Sequence, residues 1–319
     1  MTISICIPTC NRPELLRQCL ESCVRQTLRP HEILVGDDSR DDASGQVVEE
    51  FTQKAPCPVR YLRNIPPKGQ GGNVDRLLRE TTGELICLIH DDDTLAPDAL
   101  EVLAPCLVDP SVVVAFGKQV IVDHEGGEDA AASVALNESF RRTAAQQGLQ
   151  DDLMLSALTQ QFPNNGYLIR ADLAREVGYL EPIRRFGDAC DFGFAVLCAQ
   201  ARPQGRAFFV DKVTAYYRVT KQSVSRGRRS ADNAYQAFKF LHEQRLNPVH
   251  QGPVEQLLKD RAAVAIGQAI NLGHTREAWS WYFGRWHRHR ILTPGGARRF
   301  LRLLHRSLWR KVPFPPRIP

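Results

Sequence analysis

Four short apolar runs, at residues 3–8 (ISICIP), 32–36 (EILVG), 59–62 (VRYL) and 84–89 (ELICLI), constrain this chain more than any other feature. Each of the first three is followed by a stretch with apolar residues at helical spacing. Residues 13–26 place Leu15, Leu16, Cys19, Leu20 and Cys23 on one face, residues from Asp42 bring Val47, Val48 and Phe51 together, and residues 73–80 carry Val74, Leu77 and Leu78. Continuous apolar strands alternating with amphipathic helices predict an α/β fold. Its sheet is doubly wound and mostly parallel, with helices on both faces. Ligands of such sheets bind beyond the carboxyl ends of the strands.

The rest of the chain is less regular. Residues 112–116 and 164–170 read as strands, 171–177 and 191–201 as helices, and 206–219 as one or two strands. Residues 123–147, rich in Ala, Gly and Glu, have weak periodicity and read as a loop. From about residue 230 the pattern is helical, interrupted by Pro248, Pro253 and Pro294. A boundary near Arg228, in the polar run SVSRGRRS, divides the chain into a domain at 1–228 and a helical region at 229–319.

Hydrophobic residues at 43% and charged residues at 24% of 319 exclude a disordered or fibrous chain. No run of 18 apolar residues suggests a transmembrane helix, and the opening MTISICIPTCNRP lacks the pattern of a secretory signal. Nine cysteines without a CxxC pair fit reduced thiols in the cytoplasm.

The strand ELICLI runs directly into His90, Asp91, Asp92 and Asp93. Three successive carboxylates at the mouth of an apolar strand repel one another unless protonated or balanced by a cation. A divalent ion with oxygen ligands bridging to a substrate phosphate would balance them. The competing reading is a solvated acidic turn ahead of the helix near Pro97. A second acidic group, Asp37-Asp38-Ser39, follows EILVG. Asp38 is placed to accept hydrogen bonds from a nucleobase or sugar, and Asp42 reads as a helix N-cap. PPKGQGGN fits neither a P-loop nor GxGxxG, and no zinc spacing or GxSxG occurs. Its glycines are expected to let the backbone turn, or approach a ligand, ahead of the next helix.

The ordered set ISICIPTCNRPELLRQCLESCVRQT, EILVGDDSRDD, Gly-Gly-Asn before a helix, GELICLIHDDDTLAPDAL, NNGYLIR and YRVTKQSVS resembles the family two glycosyltransferases of GT-A fold, over residues 2–225. The resemblance implies an inverting enzyme that moves a sugar from a nucleoside-diphosphate sugar, UDP- or dTDP-linked, to an acceptor hydroxyl with Mg²⁺ or Mn²⁺. It implies that Pro8, Thr9 and Arg12 line the nucleoside and that Asp38 contacts the base. Asp91 and Asp92 match positions that contact ribose and metal, and Asp93 can replace either in the metal shell. His90 stands where the family often has its first acid. Asn165 and Gly166 match the loop beside the acceptor and the transferred sugar.

The segment FGDACDFGF resembles the family's acidic helix start, commonly E-D-x-D, with Ala189 replacing one acid. Asp188, ranked slightly first, or Asp191 is then the general base. Thr220 stands where a histidine is common. Arg218, Lys221, Arg226, Arg228 or Arg229 could supply the missing charge. The acceptor stays open among a glycan, a lipid-linked glycan and a small or carrier-bound natural product. Two other functions stay open as well: a nucleotide-sugar-binding protein without turnover, and a nucleotidyltransferase on a related scaffold.

After Glu277 the sequence has no acid, and ten of the 41 Lys and Arg residues fall from Arg285 onward. The remaining 31 face 36 acids, a net charge of −5. Arg298, Arg302, Arg306 and Arg310 form one helical stripe, and Ala297, Leu301, Leu304 and Leu308 form another. This basic amphipathic helix, with interfacial aromatics expected from WSWYFGRWHRHR, fits a peripheral contact at the inner face of a membrane, a homodimer, or docking on the catalytic domain. No nucleic-acid motif accompanies the charge.

Overall fold

In the computed structural model the described residues are 1–219, 233–243 and 248–308, without the side chains of Asp188, Asn233 and Val249. The four apolar runs become β1 (Ile3–Thr9), β2 (Glu32–Asp37), β3 (Val59–Arg63) and β4 (Leu85–Leu88), joined through α1 (Pro13–Val24), α2 (Ala43–Thr52) and α3 (Gly69–Glu80). All four strands pair in parallel, in the order β3-β2-β1-β4. The central side chains of β1, β2 and β4 are buried on both faces against α1, α2 and neighbouring segments, as a sheet with helices on either side requires, while β3, at the edge, buries only Val59 fully. Glu32, buried at the start of β2, accepts from Ser4 Oγ at 2.7 Å, Thr82 N at 2.7 Å and Arg60 Nη1 at 3.0 Å. Its carboxylate therefore crosslinks the rear of the sheet without an unsatisfied charge.

The chain continues through β5 (Thr94–Leu95), α4 (Ala99–Leu103), β6 (Val112–Val122), α5 (Ala130–Ser139), β7 (Gly148–Gln150), α6 (Leu153–Leu158), β8 (Tyr167–Arg170), α7 (Ala171–Val177), α8 (Leu180–Phe186), α9 (Cys190–Ala201) and β9 (Arg206–Arg218). Strand β8 lies antiparallel between β4 and β6, β9 runs parallel to β6, and β5 and β7 pair antiparallel with β9. The result is one mixed nine-stranded sheet.

Three local expectations change. The stretch at 123–147, expected as a loop, contains α5. Asp129 caps it by accepting from Ala132 N at 2.9 Å, and the alanines that blur periodicity favour the helix. Helix α3 begins at Gly69, so Gly71 and Gly72 lie inside it and are not turn residues. A Cβ at Gly71 would come within 2.9 Å of Ile183, whereas Gly69 takes φ +72° at the turn itself. Asp42 does precede α2, but its carboxylate makes no cap; it pairs with Arg63.

The chain divides into two units, Met1–Arg185 with Cys190–Thr220, and Phe186–Ala189 with Lys221–Pro319. The boundary expected near Arg228 lies outside the described residues. The second unit is helical: α10 (Asn233–Glu243), α11 (Pro248–Leu272), α12 (Thr275–Phe283) and α13 (Pro294–Leu308). Trp281 packs on Phe238 at 4.8 Å between ring centres, and Phe300 on Trp279 at 5.5 Å. Trp281, Tyr282 and Trp286 are buried, so most of the aromatics expected at an interface build this unit's own interior. On α13 the inward residues are Gly296, Phe300 and Leu303, while Leu301, Leu304 and Leu308 are exposed. Arg310 lies outside the described residues.

All nine cysteines are free thiols; Cys10 is exposed, Cys106 half-buried and the other seven buried. Among the described residues no helix is long and apolar enough to cross a membrane.

Candidate active site

The loops leaving β1, β2 and β4 meet at the carboxyl edge of the parallel strands, held by contacts from residues distant in sequence. Thr9 Oγ1, at the end of β1, donates to Asp91 Oδ2 at 2.7 Å. Arg12, one residue before α1, reaches the same loop, its Nη1 lying 2.7 Å from Asp92 Oδ2 and 3.4 Å from Asp91 Oδ1. Pro8 pairs in register with Gly36, which brings the end of β1 beside Asp38. Asp38 N donates to Thr9 O at 3.0 Å, and Asp38 Oδ1 accepts from Lys68 N at 3.1 Å. Asp37 is turned away, bound to Tyr61 OH at 2.6 Å and Ser39 N at 2.7 Å. Pro8, Thr9, Arg12, Asp38 and Asp91 thus form one neighbourhood, though 80 residues separate Arg12 from Asp92.

The three consecutive aspartates have different environments. Burial pushes the Asp91 carboxyl up to about 6, against the opposing pull of Arg12. Asp93 is fully enclosed, and burial, then the charge of Asp92, raises its carboxyl far above the usual range. Its Oδ1 accepts from Arg218 N at 2.7 Å, and its Oδ2 from Asn165 Nδ2. Asp92 takes the shorter contact from Arg12, 2.7 Å against 3.4 Å to Asp91.

The donor set fits a divalent cation. One ligand atom from each of His90, Asp92 and Asp93 lies within 4.8 Å of the others, a spread that one ion could bridge with small side-chain adjustment. An imidazole with two carboxylates suits Mn²⁺ better than an all-oxygen Mg²⁺ shell. The histidine in the first acidic slot therefore belongs to the cluster.

Arg218, at the end of β9, closes the other side. Its Nε donates to Asp92 O at 3.0 Å, its Nη1 to Asp123 O and His124 O, each at 3.1 Å, and its Nη2 to Gln18 Oε1 at 2.8 Å. Of the cations expected to replace the histidine missing at Thr220, Arg218 is the one among the described residues, and it acts as a buried clamp. Thr220, Lys221, Arg226, Arg228 and Arg229 lie outside the described residues.

Asn165 and Gly166 occupy the edge expected of them, but Asn165 is completely buried. Its side chain holds Asp93, so it supports the acidic cluster, where a contact to acceptor or transferred sugar was expected. Gly166 takes φ +69°, donates to Leu88 O at 2.8 Å, and leaves room where a Cβ would lie 2.5 Å from Ala215 Cβ. It lets the turn into β8 sit against the end of β4 and against Ala215 of β9.

Asp191 opens α9 and accepts from Tyr179 OH. Burial raises its carboxyl, and His90 is near enough for its charge to oppose that rise. The side chain of Asp188 lies outside the described residues.

The model of glycosyl transferase family 2 matches residues 4–162, about half of the chain and the whole β1-to-Asp93 arrangement. A glucosyltransferase of Campylobacter jejuni, described as GalNAc(5)-diNAcBac-PP-undecaprenol beta-1,3-glucosyltransferase, is 34% identical over 102 residues, 32% of this chain and 33% of its own. An uncharacterised protein of Mycobacterium tuberculosis is 36% identical over 114 residues, 36% of this chain and 35% of its own. The aligned stretches span about a third of the length of these relatives. Among solved structures, S. aureus TarS 1-349 with UDP-GlcNAc superposes at TM-score 0.61 over 99% of this chain and 93% of its own, with 16% identity. A mannosyltransferase of Pyrobaculum calidifontis with GDP-Man and Mn²⁺ superposes at 0.57 over 97% and 88%, also with 16% identity. The fold is that of the GT-A glycosyltransferases. With its strand-end acids and its β1 loop both falling in the matched segment, the chain belongs to glycosyl transferase family 2.

Proposed function

We propose that this protein is an inverting glycosyltransferase that transfers a sugar from a UDP- or dTDP-linked donor to an acceptor hydroxyl with a divalent ion, Mn²⁺ or Mg²⁺. The observation that carries the reading is the convergence of His90, Asp92 and Asp93 beside the Thr9–Asp38 edge. Pro8, Thr9, Arg12 and Asp38 would receive the nucleoside and Asp91 the ribose. His90, Asp92 and Asp93 would hold the ion, which when bound would offset the charge developing on the departing diphosphate.

The reaction needs a base on the acceptor side. Asp191 has one oxygen engaged by Tyr179, which leaves the other for a hydroxyl proton, and its raised carboxyl is a better proton acceptor than a solvated aspartate. As the acceptor oxygen bonds to the anomeric carbon, its proton passes to the carboxylate. The bond from that carbon to the diphosphate breaks on the opposite face, so the centre inverts. Asp188 is the alternative base.

The exposed leucines of α13, with Leu292 and Arg298 beside them and no acid after Glu277, support a peripheral contact of this helix with an anionic lipid surface at the inner face of the membrane. Such a location would suit a lipid-linked acceptor. A homodimer through the same stripe is the competing outcome.

The test of function is a binding titration with UDP, dTDP, UDP-GlcNAc and GDP-Man, with and without Mn²⁺, followed by product analysis with an acceptor panel. Metal-dependent donor binding and release of nucleoside diphosphate on transfer support the proposal. Binding without transfer identifies a nucleotide-sugar-binding protein, and release of pyrophosphate a nucleotidyltransferase.

A further inference from the structure

Behind the acidic cluster lies a buried cation. Arg142 is 2% exposed, and among the described residues no carboxylate pairs with its guanidinium. It donates instead to Gln161 O at 2.9 Å, Gln160 O at 3.1 Å and Gln119 Oε1 at 2.8 Å. A guanidinium taken out of water without a counter-ion is costly, and filling this space does not require one.

Its contacts lead to the cluster. Gln119 is 3% exposed, and its Nε2 donates to Asn165 Oδ1 at 2.8 Å, with a longer contact to Asn164 Oδ1 at 3.3 Å. Asn165 then donates through Nδ2 to Asp93 Oδ2. The backbone of Gln119 is fixed on both sides by Asn137, whose Oδ1 accepts from Gln119 N at 3.2 Å and whose Nδ2 donates to Gln119 O at 2.8 Å.

The donor inventory gives this chain a direction. A side-chain amide can face either way, because oxygen and nitrogen occupy similar space. Arginine can only donate, so Gln119 must turn its oxygen to Arg142 and its NH₂ to Asn165. Asn165 must then turn its oxygen to Gln119 and its NH₂ to Asp93.

We infer that Arg142 and Gln119 are positioning residues: they set a one-way run of hydrogen bonds, Arg142 to Gln119 to Asn165 to Asp93, that holds the Asp93 carboxylate in the orientation its ligand role needs. The inference rests on the proposed role of Asp93 at a nucleotide-bound divalent ion. Removing direction from the run, without removing bulk, should therefore weaken metal binding more than it weakens the fold.

Gln119→Glu makes that separation. The new carboxylate accepts from Arg142 and supplies the missing counter-ion, but it has nothing to donate to Asn165. Asn165 then turns its NH₂ to residue 119 and its oxygen to Asp93. The expected result is a melting temperature at or above that of the wild type. Mn²⁺ binding in the presence of UDP, read from the free-Mn²⁺ paramagnetic resonance signal, should weaken about 10- to 100-fold. Asn165→Ala should show a similar loss, and the double variant should be no weaker than Asn165→Ala alone, because both act through one bond. Gln119→Met, nearly equal in volume, should fall between wild type and Gln119→Glu. Wild-type Mn²⁺ affinity in folded Gln119→Glu overturns the inference; if that variant does not fold, wild-type affinity in Gln119→Met does so.

A second readout needs no metal. The Asn165 side-chain amide pair, assigned by its loss in Asn165→Ala, should be protected from exchange, with one proton shifted downfield by Asp93, and should move in Gln119→Glu. An unmoved pair overturns the inference. A wild type that binds no Mn²⁺ with UDP overturns the metal reading alone, and the amide resonances still decide the relay.

Discussion

Arg12 Nη1 donates to Asp92 Oδ2 at 2.7 Å, so a single guanidinium spans from the start of α1 to the loop after β4. In the proposed reaction Asp92 must exchange this partner, wholly or in part, for the divalent ion. Asp92→Ala should therefore abolish metal-supported UDP binding, a loss of at least about 100-fold, since even the outer partners of metal ligands cost 10- to 100-fold when removed. Calorimetric titration with and without Mn²⁺ checks it; unchanged affinity with metal counts against the site.

Arg12 and a cation compete for one carboxylate. Arg12→Ala should raise affinity for Mn²⁺ alone while lowering affinity for UDP, because the same side chain is proposed to line the nucleoside. The two titrations should move in opposite directions, and parallel losses would mean that Arg12 only maintains the fold.

Asp191→Asn keeps the shape of the side chain and removes its basicity. Turnover should fall about 10²- to 10⁴-fold with donor affinity retained. Asp188→Asn serves as the comparison, and if both variants keep full turnover, neither is the base.

The Asp91 carboxyl, raised to about 6 by burial, ties stability to pH. Its folded value lies above the ordinary value, so the folded chain holds a proton that the unfolded chain releases between about pH 4 and 6. Stability contributed by this group falls as pH rises through that window. Asp91→Asn removes the charge, and by linkage its stability relative to wild type should be about 2–3 kcal/mol more favourable at pH 7 than at pH 4. Urea midpoints at the two pH values check the sign; a pH-independent difference would show that the carboxyl is not held up.

Gly166→Ala combines a left-handed backbone with a Cβ placed 2.5 Å from Ala215 Cβ. It should cost about 1–3 kcal/mol. Because Gly166 follows Asn165, metal-dependent binding should weaken with it, and calorimetry beside a melting curve separates the two effects.

The parallel half of the sheet was legible because β1, β2 and β4 are built on apolar runs, the shorter β3 carries Val59, Tyr61 and Leu62, and each helix keeps its spacing. The acidic mouth of β4 was legible for the same reason. Helix α5 was not, because alanines carry propensity without amphipathic contrast, and its signal was the cap at Asp129. The burial of Asn165, expected as a contact to acceptor or transferred sugar, depends on Gln119 and Asp93, 46 and 72 residues away. Nothing local marks such a partner. Arg142 and Gln119 escaped for the same reason, since a charged or polar residue outside a recognised apolar pattern reads as solvated until the fold encloses it. On α13 the leucine stripe was legible as a stripe, but the residues turned inward are its neighbours Phe300 and Leu303.

The thiol inventory has a practical consequence. Cys10 is exposed on the β1 loop beside Asp38, while seven of the other eight thiols are buried and Cys106 is half-buried. Burial and the nearby carboxylates raise the Cys10 thiol, so alkylation should be slow at neutral pH and quicken in alkaline buffer. The native chain therefore carries its own attachment point for a fluorophore, close enough to Asp38 and the proposed nucleoside site to register a ligand's arrival there without an engineered cysteine.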